Sequence, residues 1–248
     1  MTAWIPKLSQ GNAYAKVRLR GTVWERVDLA HGAYSALTSV GGVIGRTGIS
    51  PNAITWLSLL IAAVSGVAVL LGSFALGALL LVASGLCDAL DGAVARATGR
   101  VSPFGALLDS TIDRLADALP LIGMMVFFAS RPGLALIPAV AMLGAFVVPY
   151  VRARAEGLGV TLPPLFMRRP ERLVLLVLSL LLGTLPITGP VPQILMLVGV
   201  GLMAVLSFYG AVSALRAAQV ALEQPKRERG ESKSPPSVGS RPVTASGP

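Results

Sequence analysis

The stretch DALDGAVARATGRVSPFGALLDSTID, residues 88–113, joins two segments that otherwise read as membrane helices. Its skeleton is D-x2-D-G-x2-A-R-x8-G-x3-D-x3-D. Ionised carboxylates are costly at membrane depth and persist there with a partner or a task. Asp88 and Asp91 are three residues apart, and Asp109 and Asp113 four, so each pair shares one face of a helix. The turn ATGRVSP reverses the chain between them and lets the two pairs face each other across an antiparallel helix contact. Four oxygen donors so arranged suit a hard divalent cation, Mg²⁺ or Mn²⁺, and no His or Cys cluster favours zinc. Two such ions about 3.5–4 Å apart would serve displacement at phosphorus.

The rest of the chain supplies the membrane setting. It has 248 residues, 54% of them hydrophobic and 13% charged, with mean hydropathy +0.72. A soluble domain of this length could not cover so much apolar surface. A spanning helix needs about 20 mostly apolar residues. Six segments are read as spans, near 53–71, 74–97, 104–129, 133–152, 171–185 and 191–218. The expected fold is all-α: a polytopic membrane protein of six transmembrane helices. Residues 1–50 form an amphipathic lead-in containing an interfacial helix, with Trp4 and Trp24 as anchors. Residues 51–220 form the six-span domain, and residues 221–248 a disordered tail.

Charge distribution sets orientation. The net charge of +9 is concentrated in the lead-in, the tail and two loops, one with Arg96 and Arg100, the other with Arg152, Arg154, Arg168 and Arg169. The opposite loops are nearly bare, with Arg131 the exception. Both termini and the aspartates are therefore expected at the cytoplasmic face of the cell membrane. Basic clusters of this kind match anionic lipid headgroups and phosphorylated substrates rather than nucleic acid. No cleavable signal peptide is apparent at the N-terminus. Cys87 reads as packing, and His31, the sole histidine, as structural or solvated.

The residues between the acids fit phosphate chemistry. Gly92 and Ala95 are small enough to let a ligand approach the helix, and Arg96, one turn past Gly92, can pair with a diphosphate. Gly105 leaves room beside the second acid pair. The bland alternative, acids paired with Arg96, Arg100 and Arg114 to hold a bundle, requires no such pattern.

On these residues the chain resembles the CDP-alcohol phosphotransferase family. The match covers Asp88, Asp91, Gly92, Ala95, Arg96, Gly105, Asp109 and Asp113, and GISPNAIT at 48–55 resembles the family's entry into its first span. The likeness extends over roughly residues 45–220. It implies a homodimeric six-span membrane enzyme that moves a substituted phosphate from a CDP-linked lipid to an alcohol and releases CMP. Asp88, Asp91 and Asp109 would bind the metals. Asp113 would complete the metal site and act as general base. Gly92, Ala95, Arg96 and Gly105 would form the CDP site.

A second region, YVRARAEGLGVTLPPLFMRRPERL at 150–173, bears on the acceptor. Guanidinium forks bind phosphate oxygens in two-point geometry, so these arginines suit an acceptor that already carries a phosphate. Positive-inside anchoring would explain the charges but not their order. YVRARAE and RPER resemble segments of bacterial phosphatidylinositol phosphate synthases, whose acceptor is myo-inositol 1-phosphate. That likeness would put Arg154, Arg169 and Arg172 at the acceptor phosphate, with Arg152 where a lysine is common. Glycerol 3-phosphate is the competing acceptor. A reading of another class is a cation transporter lined by the acids. It has no need of the Gly-Ala-Arg pattern and would place its site near the midplane.

Overall fold

The computed structural model describes residues 28–163 and 166–223, with side chains from residue 36 onward. Trp4, Trp24, the side chain of His31 and the tail from residue 224 lie outside the described residues. So does the part of the lead-in before Asp28. Within the described residues the chain forms helices and no strand: α1 (Asp28–Arg46), α2 (Pro51–Leu70), α3 (Phe74–Thr98), α4 (Pro103–Phe127), α5 (Pro132–Gly157), α6 (Arg169–Leu182) and α7 (Val191–Glu223).

Local chemistry sets the ends that matter. Both α2 and α4 begin with Ser-Pro. Ser50 accepts a hydrogen bond from the Ala53 amide at 3.2 Å, and Ser102 accepts one from the Gly105 amide at 3.0 Å. In each case proline fills the first helical position, where no amide hydrogen is needed. Gly99, at φ 69°, ends α3 in the left-handed conformation that glycine adopts without strain.

α2 packs against both α3 and α4, which touch each other only briefly. The expected antiparallel contact between the acid-bearing helices is thus mediated largely by α2. The reason lies in small residues. A side chain at Gly66 of α2 would come within 2.6 Å of the Leu119 carbonyl on α4, so only glycine permits that backbone approach. α1 docks on α3 in the same manner, since a β-carbon at Gly41 would lie 2.7 Å from that of Ala93. α5 and α6 both pack on α7, and α6 also touches α3. One apolar core joins these helices, with Leu81, Leu121, Met124, Leu180, Met196 and Met203 nearly inaccessible. Buried serines pin the helices together directly: Ser84 donates to the Ser58 carbonyl at 2.8 Å and Ser65 to the Gly77 carbonyl at 2.7 Å.

The outer surface is apolar, with Trp56, Leu60, Val64, Leu79, Leu136, Leu143, Val198 and Val205 all exposed. Four helices, α2, α3, α5 and α7, are long and apolar enough to cross a membrane. The other two expected spans differ for separate reasons. α4 has 25 residues, but they include Asp109, Asp113, Arg114 and Asp117. α6 has only 14 residues, about 21 Å at 1.5 Å per residue, against a hydrocarbon core of about 30 Å.

Candidate active site

The last turns of α3 and the first turns of α4 bring their acids together. One carboxylate oxygen from each of Asp88, Asp91 and Asp109 lies within 4.8 Å of the others. Asp91 is the most deeply placed, 4% exposed. It is oriented by α2: the Thr55 hydroxyl donates to Asp91 Oδ2 at 2.5 Å. The Ser-Pro start of α2 therefore reaches the site as a positioning element. Asn52 lies close by, since a β-carbon at Gly105 would sit 3.5 Å from its Oδ1.

Asp113 occupies the next turn of α4, outside the group of three, and meets Arg169. Arg169 is the first residue of α6. Its Nη1 contacts Asp88 Oδ2 and lies 2.7 Å from Asp113 Oδ1, and its Nε lies 3.5 Å from Asp117 Oδ1. Asp117 in turn accepts from Arg172 Nη2 at 2.8 Å, while Arg172 Nη1 donates to the Met167 carbonyl at 2.9 Å. Met167 has φ 57°, an uncommon left-handed conformation for a side-chain-bearing residue. Arg172, 7% exposed, thus clamps the turn that delivers Arg169.

The other sequence-derived residues lie on α3 and α5. Arg96 folds back over Gly92, where a β-carbon would lie 3.1 Å from Arg96 Nη1. Ala95 is half-buried beside it. Arg152 and Arg154 stand exposed at the end of α5, and Arg152 pairs with Glu156 at 3.0 Å. Burial holds the Arg168 guanidinium below the ordinary arginine value, and nearby Arg152 pushes the same way. Thr55 and Asn52 carried no signal beyond the SPNAIT start, and nothing in the spacing linked Arg169 or Arg172 to the acids.

The donor set fits a hard divalent ion. The oxygens converge, and Asp88 Oδ1 is buried yet accepts no hydrogen bond. A buried carboxylate oxygen left so is expensive unless something cationic takes it up.

Residues 48–216 match the family model described as CDP-alcohol phosphatidyltransferase. An archaetidylinositol phosphate synthase from Pyrococcus horikoshii is 34% identical over 188 residues, covering 75% of this chain and 93% of that protein. The phosphatidylinositol phosphate synthase of Mycobacterium tuberculosis is 32% identical over 194 residues, covering 75% and 88%. Its crystal structure with CDP-DAG bound superposes with TM-score 0.68 at 28% identity, covering 75% of this chain and 95% of that one. Its structure in complex with manganese and citrate gives TM-score 0.68 at 28% identity, covering 75% and 90%. The chain belongs to the CDP-alcohol phosphatidyltransferase family.

Proposed function

We propose that this member of the family moves the phosphatidyl group of CDP-diacylglycerol onto myo-inositol 1-phosphate, giving phosphatidylinositol phosphate and CMP. The observation that carries the reading is the meeting of three carboxylates from α3 and α4 with an arginine from α6. One half of the site suits a metal-held diphosphate, and the other a phosphorylated acceptor. The relatives named above, synthases of inositol phosphate lipids, support that acceptor.

Each residue then has a role. Asp88, Asp91 and Asp109, joined by Asp113, hold the divalent ions, two of Mg²⁺ or Mn²⁺. Ions held there would supply positive charge against the diphosphate and the departing CMP. Gly92, Ala95 and Gly105 leave room for the nucleotide, and Arg96 pairs with its diphosphate. Asp113 takes the proton from the acceptor hydroxyl as its oxygen bonds to the phosphatidyl phosphorus and the bond from that phosphorus to CMP breaks. Arg152, Arg154 and Arg169 receive the acceptor phosphate. Arg172 shares that task or, through Asp117 and Met167, fixes where Arg169 stands. α4 and α6 complete six spans, with the short α6 embedded beside α3 and α7. The termini and the site face the cytoplasm, residues 51–220 form the catalytic domain, and the enzyme works as a homodimer.

The test is CMP release by the purified full chain with Mn²⁺ and CDP-diacylglycerol, with inositol 1-phosphate and glycerol 3-phosphate offered side by side. Inositol 1-phosphate is expected to support turnover at least tenfold faster, about 1.4 kcal/mol of discrimination. Preference for glycerol 3-phosphate would reassign the acceptor and leave the phosphatidyl transfer standing.

A further inference from the structure

We infer that Arg169 is a placeholder cation: it bridges Asp88 and Asp113 in the metal-free enzyme, leaves them when a divalent ion binds, and becomes available to the acceptor phosphate only then. This rests on the metal-dependent reading above.

The argument begins with sharing. Asp88 belongs both to the three converging carboxylates and to the Arg169 bridge. Its Oδ2 meets Arg169, while its Oδ1 is buried with no hydrogen-bond partner. Arg169 is itself mostly covered, 16% exposed, so its charge is compensated by Asp88, Asp113 and Asp117 and not by water. A divalent ion on Asp88 would bring two positive charges against the guanidinium in a site of low dielectric. Like charges at contact distance there repel strongly. The two cations therefore compete for Asp88 and Asp113.

Arg169 has somewhere to go. Asp117 already holds Arg172 at 2.8 Å and retains only a 3.5 Å contact with Arg169. Arg169 heads α6, one residue after Arg168 and next to the turn through Met167. A rotamer change swings its guanidinium off the carboxylates and toward Arg168 and Arg152, where Glu156 and Glu171 already offset part of the charge and a phosphate would offset the added guanidinium. Ion and acceptor phosphate then bind cooperatively through one side chain, and by linkage each raises the other's affinity.

The experiment is Mn²⁺ binding to the full chain in detergent, read by electron paramagnetic resonance with and without inorganic phosphate. Arg169→Gln is expected to bind Mn²⁺ about tenfold tighter than wild type, a coupling of ordinary size, and Arg169→Lys to fall between. Arg131→Gln removes an equal charge at the opposite end of the bundle, between α4 and α5, and stays within about twofold of wild type. Phosphate tightens Mn²⁺ binding more in wild type than in Arg169→Gln. Equal or weaker Mn²⁺ binding by Arg169→Gln overturns the inference, as does a Mn²⁺-loaded structure with Arg169 still on both carboxylates. Should the Gln variant not fold, the Lys variant and the loaded wild-type structure decide. A wild type that takes up no more Mn²⁺ than Asp91→Asn refutes the metal site itself, a separate outcome that takes this inference with it.

Discussion

The two ends of α3 and α4 are built on opposite principles. At one end Phe74 stacks edge-on against Phe127 at 5.0 Å, and Phe127 against Phe128 at 4.9 Å, over Gly72 at φ 78°. At the other end the same two helices present Asp88, Asp91, Asp109 and Asp113. The aromatic end is closed by dispersion and shape and needs nothing further. The acidic end is held by polar contacts, among them the Thr55 hydroxyl and the Arg169 and Arg172 guanidinium groups, and it leaves Asp88 Oδ1 unsatisfied. Stability and chemistry are thus separated along one helix pair, the first at the aromatic end and the second at the acidic end.

Substitutions can break that separation or sharpen it. The largest effect belongs to Asp113→Asn, which keeps the side chain's shape but removes the base. Turnover measured as CMP release is expected to fall about 10²- to 10⁴-fold, with the melting temperature close to wild type. Normal rates would assign the proton to another group. Next is Phe74→Ala, which opens a cavity at the closed end. A loss of about 3 kcal/mol is expected in detergent unfolding, with Mn²⁺ affinity of the folded fraction unchanged. A matching loss of affinity would show that the two ends are coupled. The smallest is Thr55→Val, which removes the hydroxyl from Asp91 without changing bulk. Metal affinity is expected to drop about 10- to 100-fold, the usual cost of losing a group that orients a ligand, with little change in fold. An unaltered affinity would mean that helix packing alone aims Asp91.

Much of the acidic end was legible because its information is local. Spacings of three and four residues put acids on shared faces, and the ATGRVSP turn reverses the chain between them, while α2 holds the two helices together. Hydropathy likewise gave α3 and α4 nearly whole, 74–97 against Phe74–Thr98 and 104–129 against Pro103–Phe127. What the sequence hid is what depends on distant segments. Thr55 and Asp91 are 36 residues apart, and Arg172 and Asp117 are 55 apart. No period links such pairs. The arginines at 169 and 172 suggested a phosphate by residue type, yet their present partners are carboxylates, because α6 docks on α3. The fifth apolar segment was expected over 171–185 and forms a helix over Arg169–Leu182, which begins two residues earlier and ends three earlier. Apolar composition alone does not say where a helix stops.

The Ser50 cap has a consequence for how this chain tolerates change. It fixes where α2 starts, and Thr55 follows five residues later. Each added or deleted residue in that interval would turn the hydroxyl by about 100° around the helix axis. The opening of α2 is therefore a measured ruler whose graduations cannot slip, while the lipid-facing positions further along it are free to drift among oily side chains.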